Sequence, residues 1–221
     1  MPHVGNDVVD LQDAANAGKS GDSRFLKKIL TDAEIEMVKS AANPDALLWS
    51  FWACKETAYK VMKKKSPDSP FIPGRWQVVI HKKRTDCWEG EVIVGGKDGI
   101  PVRLFPGLNY VCCVGAENKA VLNKLIQNVY ALPDGENISP SRFARRCIRR
   151  TLAQSYGWNF DAIQIRRKKW KQELQPPAVF LGGQKTNIDL SISHDGRFVA
   201  YAYCQNGDAS PDDSHAKKSV L

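Results

Sequence analysis

The sequence predicts an α+β fold of two similar lobes, each a small antiparallel sheet packed with helices. Capped helical runs and alternating strand-like runs are both present. Each half passes from a helix with a charged face, through strands, to a terminal strand of small and aromatic residues: NYVCCVGA (109–116) in one, RFVAYAY (197–203) in the other. The latter follows IDLSISH across Asp195-Gly196, a strong signal for an antiparallel hairpin.

In chain order, VGNDVVDL (4–11) reads as a short strand, and the polar loop AANAGKSGDS leads to RFLKKILTDAEIEMVKS. There Thr31 is expected to cap a helix, with Glu34 three residues on completing a capping box. Asn43-Pro44-Asp45 opens the next helix, NPDALLWSFWACKETAYKVMKKK, and Ser66-Pro67 closes it. RWQVVIHKK, WEGEVIVGG and NYVCCVGAE follow as strands, so the first lobe spans 1–117. The run ENKAVLNKLIQNVYAL reads as a linker helix, and the loop PDGENISP completes a connection over 118–138. The second lobe, 139–205, begins with Ser139 capping a helix and Pro140 at its first position. Phe143, Cys147, Ile148 and Leu152 form that helix's apolar stripe, Arg145, Arg146, Arg149 and Arg150 its other face, and Gly157 its stop. The strand DAIQIRR, a Pro-Pro loop and the 188–203 hairpin complete the lobe, and a polar tail, 206–221, is expected to be disordered.

The net charge is +8, clustered in MKKK (62–65), RFARRCIRR (142–150) and RRKKWK (166–171), which favours an anionic partner: nucleic acid, a phosphate-rich small molecule or an acidic protein. The six cysteines show neither C-x-x-C pairs nor metal-ligand spacing, as expected of reduced thiols in a cytoplasmic protein. No apolar run is long enough to span a bilayer, and the start lacks the pattern of a signal peptide.

On the 44–65 helix, Glu56, Lys60 and Lys63 fall at i, i+4 and i+7 on the face left by a broad apolar band. The plain reading is a solvated Glu56–Lys60 pair worth about 0.3–0.5 kcal/mol. Asp7, flanked by valines, is costly to bury unless it caps a turn, pairs with a base or binds a cation. Magnesium, commonly held by one or two carboxylates plus phosphates, would find a sufficient set in Asp7 and Glu56, with Lys60 offering an ammonium to phosphate. His194, at the hairpin corner beside Ser193, is either a satisfied turn residue or a phosphate ligand.

Gly5-Asn6-Asp7 followed by Trp52-Ala53-Cys54-Lys55-Glu56-Thr57-Ala58-Tyr59-Lys60 resembles the G-[IV]-D and [FW]-x-x-K-E-[AST]-x-x-K signature of the 4'-phosphopantetheinyl transferase superfamily. Ser193-His194-Asp195-Gly196-Arg197-Phe198-Val199 is similar to the S-H-x-G-x-[FW]-V corner of its two-lobed members, and RRCIRRTLAQSYG to their arginine helix, with Arg149 at the matching position. The resemblance covers about 4–116 and 139–204, with the lobes in exchanged order. It implies an active site in a cleft between the lobes of a monomer. There 4'-phosphopantetheine passes from coenzyme A to a serine of an acidic apo carrier protein, with magnesium, releasing 3',5'-adenosine bisphosphate. Asp7 and Glu56 would hold the metal, and Glu56 and Lys60 would act on the reacting groups. Lys60, Arg149, Ser193, His194 and, more weakly, Lys55 would bind coenzyme A. The chain departs from the pattern in having Asn6, which implies a less buried strand, Val9 in place of a third acidic ligand, and Gln175-Pro176-Pro177 in place of a lysine-proline turn near the adenine. The alternatives are a coenzyme A-binding relative without transfer, or a nucleic-acid-binding protein using RFARRCIRR, RRKKWK and Trp170.

Overall fold

The computed structural model describes residues 2–96, 99–133, 138–170 and 173–205; the expected tail, 206–221, lies outside them. Two five-stranded antiparallel sheets form the frame. The first has the order β1-β5-β4-β3-β2, from β1 (Val4–Asp10), β2 (Gln77–Lys83), β3 (Trp88–Ile93), β4 (Ile100–Pro106) and β5 (Tyr110–Ala116). The second has the order β6-β12-β11-β10-β7, from β6 (Ile126–Ala131), β7 (Ile163–Arg166), β10 (Ala178–Leu181), β11 (Gln184–Asp195) and β12 (Phe198–Gln205). A small ribbon pairs β8 (Lys169–Trp170) with β9 (Glu173–Leu174). The helices are α1 (Ser23–Ile29), α2 (Asp32–Lys39), α3 (Pro44–Lys65), α4 (Lys119–Lys124) and α5 (Pro140–Tyr156).

The helix signals act as expected except at Ser139, which holds the N-cap position of α5 without a side-chain cap hydrogen bond. The Thr31 hydroxyl accepts from the Glu34 amide at 3.3 Å and the Glu34 carboxylate from the Thr31 amide at 2.8 Å, the reciprocal capping box that starts α2. Asn43 Oδ1 accepts from the Ala46 amide at 3.1 Å, and α3 runs from Pro44 to Lys65. Its Leu48, Phe51, Cys54 and Ala58 seal the first core against Val92, Val102, Leu104 and Val111. On α5, Ile148 and Leu152 close the second core over Ile163, Leu190, Tyr201 and Tyr203, and Gly157 ends the helix at φ 66°.

Three expectations fail. Only 119–124 of the supposed linker helix is helical; from Ile126 the chain is β6, an edge strand of the second sheet that pairs with β12 and stacks Tyr130 on Tyr201. The sequence IPVRLFP, for which no element was expected, is β4, with Pro101 and Pro106 near its ends. Finally, Asn6 does not loosen β1: it is 0% exposed. The hairpin loop is Gly196-Arg197, one residue beyond the expected turn, with Asp195 opposite Phe198.

The lobes meet through β1. Its even-numbered residues face the second sheet, where Val4 packs with Ala202 and Cys204, and Val8 with Phe198 and Ala200. The small residues of NYVCCVGA and RFVAYAY allow this close approach. Alternate side chains of β11 receive β1's polar groups. Val4 N donates to Asp189 at 2.7 Å, Asn6 N to Ser191 at 3.1 Å and Asp10 N to Asp195 at 2.8 Å, while Asn6 Nδ2 donates to Ser193 Oγ at 2.8 Å. An edge strand's unpaired amides are thereby satisfied inside the molecule. Arg197 completes the joint with a bidentate pair to Asp10, at 2.8 and 2.7 Å, which with the amide bonds to the same carboxylate holds its pKa down to about 2.

Candidate active site

The odd-numbered face of β1 lies on α3. A Cβ on Gly5 would overlap the Thr57 carbonyl oxygen, so glycine is the residue that lets helix and strand touch here. Two residues on, Asp7 meets Lys60 at 2.8 Å, and Lys60 Nζ also donates to Asn6 O at 2.8 Å. The solvated Glu56–Lys60 pair of the plain reading is replaced by this longer-range one.

Glu56 lies beside Asp7. Burial first, then the Asp7 charge, raise its carboxyl from 4.5 to about 7, with Lys60 opposing. Asp7 is also raised from its ordinary value, chiefly by burial, against the pull of Lys60. Two carboxylates that each resist ionisation, close enough to repel, make a site to which a cation is welcome. No group of three or more His, Cys, Asp or Glu side chains able to hold a metal converges among the described residues, so a metal at this place would have only Asp7 and Glu56 as protein carboxylates. That set fits magnesium, which keeps several waters and takes its remaining ligands from substrate phosphate.

Facing the acids is a cationic wall. A cavity of about 230 Å³ is lined by Asp7 and Lys60 from the first lobe and by Ser141, Arg145, Arg167, Ser193 and His194 from the second. Burial and, after it, the neighbouring Arg145 lower the pKa of Arg167 from its ordinary value. Like charges crowded together in this way are relieved by an anion. The cavity continues along β11 and the C-terminal half of α3. A second chamber of about 190 Å³ is lined by Tyr59, Lys60, Lys63, Pro176, Pro177 and Ile192, and a third of about 700 Å³ by His3, Arg166, Lys168, Pro177, Phe180 and Lys185.

Of the residues expected at the site, Asp7, Lys60, Ser193 and His194 line the first cavity; Glu56 is not among its lining residues but interacts with Asp7 and Lys60. Ser193 is buried and its hydroxyl accepts from Asn6, so it joins the lobes as well as lining the cavity. Two expectations are corrected. Lys55 is 0% exposed, with its ammonium held by Glu34 at 2.6 Å and by the Ile29 and Pro73 carbonyls at 2.9 Å, out of reach of any ligand. Arg149 is not among the residues lining the Asp7 cavity; it stacks on Phe160 at 3.9 Å and donates to the Phe160 carbonyl at 2.7 Å. Arg145, one turn earlier on α5, takes the expected place in the cavity. Arg145 and Arg167 were visible only as members of basic runs, and nothing local to either run tells which arginine turns to the cleft.

No helix among the described residues is long and apolar enough to cross a membrane. No curated protein matches the chain. Residues 3–85, a segment that holds Gly5, Asp7, Glu34, Lys55, Glu56 and Lys60, match the 4'-phosphopantetheinyl transferase superfamily.

Proposed function

We propose that this protein transfers the 4'-phosphopantetheine group of coenzyme A to a serine of an acidic apo carrier protein, with magnesium, and releases 3',5'-adenosine bisphosphate. The observation that carries the reading is the placement of Lys60. Its ammonium has three donors, and the described residues take two of them, Asn6 O and Asp7 Oδ1. The third is left for the cavity that Arg145, Arg167 and His194 enclose from the other lobe.

In this reading Asp7 and Glu56 hold magnesium, which when bound supplies charge neutralisation at the pyrophosphate. Lys60, Arg145, Arg167 and His194 gather the phosphate oxygens and fix the β-phosphorus for in-line attack. The serine oxygen bonds to that phosphorus, the bond from phosphorus to the oxygen bridging the two phosphates breaks, and the serine proton passes to Glu56. Burial and Asp7 raise the metal-free Glu56 carboxyl, which favours its taking a proton, and a bound magnesium would oppose that shift. The nucleotide half then lies along β11, its adenine against Pro176-Pro177 and its 3'-phosphate near the lysines and arginines of the farther chambers. Gln175-Pro176-Pro177, which departs from the lysine-proline turn of the resemblance, is given the adenine contact by this reading alone, and Arg149 is assigned no phosphate.

The test is intact-mass spectrometry of an apo acyl carrier protein incubated with coenzyme A, magnesium and this protein. A gain of one phosphopantetheine, lost with EDTA and with Glu56→Gln, is the expected result. No gain with acyl, polyketide and peptidyl carriers alike would leave a coenzyme A-binding relative without transfer.

A further inference from the structure

The joint between the lobes and the wall of the cleft share one side chain. Asn6 stands where the G-[IV]-D signature has isoleucine or valine, and it is 0% exposed. Its backbone amide donates to Ser191 Oγ at 3.1 Å and its carbonyl accepts from Lys60 Nζ at 2.8 Å, bonds that any residue at this position could make. The carboxamide adds one bond, from Nδ2 to Ser193 Oγ at 2.8 Å, and one liability, since its Oδ1 is buried with no hydrogen-bond partner among the described residues. An apolar side chain would fill the same space without burying an unmet acceptor. The amide is better explained by what it does to Ser193 than by what it adds to stability. A serine hydroxyl has one proton, and with Nδ2 donating to its oxygen that proton must turn elsewhere. Among the described residues the hydroxyl makes no bond besides the one it accepts from Asn6. Ser193 lines the Asp7 cavity beside Arg145 and Arg167, whose guanidinium groups only donate, so the three form a row of donors suited to phosphate oxygens.

We infer that Asn6 is a positioning residue: by donating to Ser193 it fixes that hydroxyl as a donor to a phosphate oxygen of coenzyme A in the cavity. The inference rests on the transfer reading above, and it gives Asn6 no contact with the substrate. With valine at this position the Ser191 and Lys60 bonds would remain, but the Ser193 hydroxyl would rotate freely and have to be ordered by the incoming phosphate. The loss should therefore be felt only while Ser193 carries a hydroxyl.

The experiment is a double-mutant cycle: wild type, Asn6→Val, Ser193→Ala and Asn6→Val/Ser193→Ala, compared at a temperature where each is folded. Asn6→Ala, which cannot overpack the joint, is run as a second variant, alone and with Ser193→Ala. The Kd of coenzyme A with magnesium is measured by isothermal titration calorimetry, and kcat/KM for transfer to an apo acyl carrier protein by the mass assay. The expected result is a Kd weakened about tenfold or more by Ser193→Ala, about threefold to tenfold by either Asn6 variant, and no further by the double variants than by Ser193→Ala alone. The kcat/KM for coenzyme A should follow the Kd, with acceptor KM unchanged. Packing alone would lower the melting temperature and persist in the double variants as an added loss. Asn6 variants that bind coenzyme A as the wild type does, or losses that add, overturn the positioning role and leave the function standing. A wild type that binds coenzyme A but transfers to no carrier overturns the function, while the coupling in Kd still decides the role of Asn6. A wild type that binds no coenzyme A overturns both.

Discussion

Lys55 and Lys60 lie little more than one turn apart on α3, in the same short motif, each within 2.8 Å of a carboxylate, yet their surroundings differ. At Lys55 the pair is sealed: side-chain exposures are 0% and 2%, and the three ammonium donors meet Ile29 O, Glu34 and Pro73 O. Glu34 is equally engaged, accepting from Thr31 N at 2.8 Å and Val78 N at 2.9 Å. At Lys60 the pair stands 27% and 12% exposed, and one donor faces a cavity. Lys64, farther along, repeats the sealed pattern with Val4 O, Asp189 and Leu190 O. What separates a strut from a site is the count of unsatisfied donors, not the presence of an ion pair.

The sealed pair should show the largest effect on stability. Lys55→Met leaves Glu34 buried beside no cation, a loss of about 3–5 kcal/mol, so thermal melting should fall by roughly 10 °C or more. Lys55→Met/Glu34→Gln should recover part of that loss. Equal melting of wild type and Lys55→Met would erase the distinction between the two lysines. The joint between the lobes comes next. Asp10→Ala removes the acceptor of two Arg197 side-chain bonds and of the Gln12 and Arg197 amides, at a cost of about 2–3 kcal/mol near neutral pH. Because the folded carboxyl sits at about 2 against an ordinary 3.8, this contribution is present above pH 4 and lost as pH falls toward 2. The wild type and variant melting curves should therefore converge in acid.

Much of this contrast is written locally, and some of it is not. The capping box, the bounds of α3 and the Glu56–Lys60 spacing follow from patterns of a few residues, which is the range over which helix geometry acts, whereas Asp7, 53 residues from Lys60, was tied to them only by the family resemblance. Lys55 and Lys60 look alike at that range. Only Glu34, brought in by the turn between α1 and α2, reveals Lys55 as enclosed. Asn6 is the sharper case, since its partners Ser191 and Ser193 are more than 180 residues away and no pattern near VGND announces them. Arg145 and Arg149 share one face of α5, and the choice between them depends on how that helix is set over the second sheet. β6 was hidden because a run that fits either period is settled by the neighbouring strand, and β4, which carries Pro101 and Pro106, is held as an interior strand by β3 and β5.

Glu56 sharpens the comparison from the acid side, with a smaller effect of opposite sign. Its folded pKa of about 7 exceeds the ordinary 4.5, so between these values the folded protein keeps a proton that the unfolded chain has released. Metal-free stability should thus fall as pH rises through that window. Glu56→Gln should melt higher than the wild type at pH 8, by on the order of 2 kcal/mol, and match it near pH 4.5. Added magnesium should raise the wild type more than the variant at pH 8. A variant that melts with the wild type at both pH values would show that Glu56 ionises freely and is not held beside Asp7.

The smallest change in stability is expected where the change in activity is large. Lys60→Ala removes a pair that is partly open to solvent, and the Asp7 it abandons already resists ionisation and can take up a proton, so the loss should stay near 1 kcal/mol. Transfer, measured by the same mass assay, should drop by about a hundredfold or more, because a fixed cation aimed at developing phosphate charge is removed from a partly desolvated site. Lys60→Arg keeps the charge but offers a planar fork in place of an ammonium that must serve Asn6 O, Asp7 and phosphate at once, so it should restore stability without restoring the rate. If Lys60→Ala instead melted as early as Lys55→Met while its folded fraction kept full activity, Lys60 would be a third strut, and the cationic work of the cleft would fall to Arg145 and Arg167.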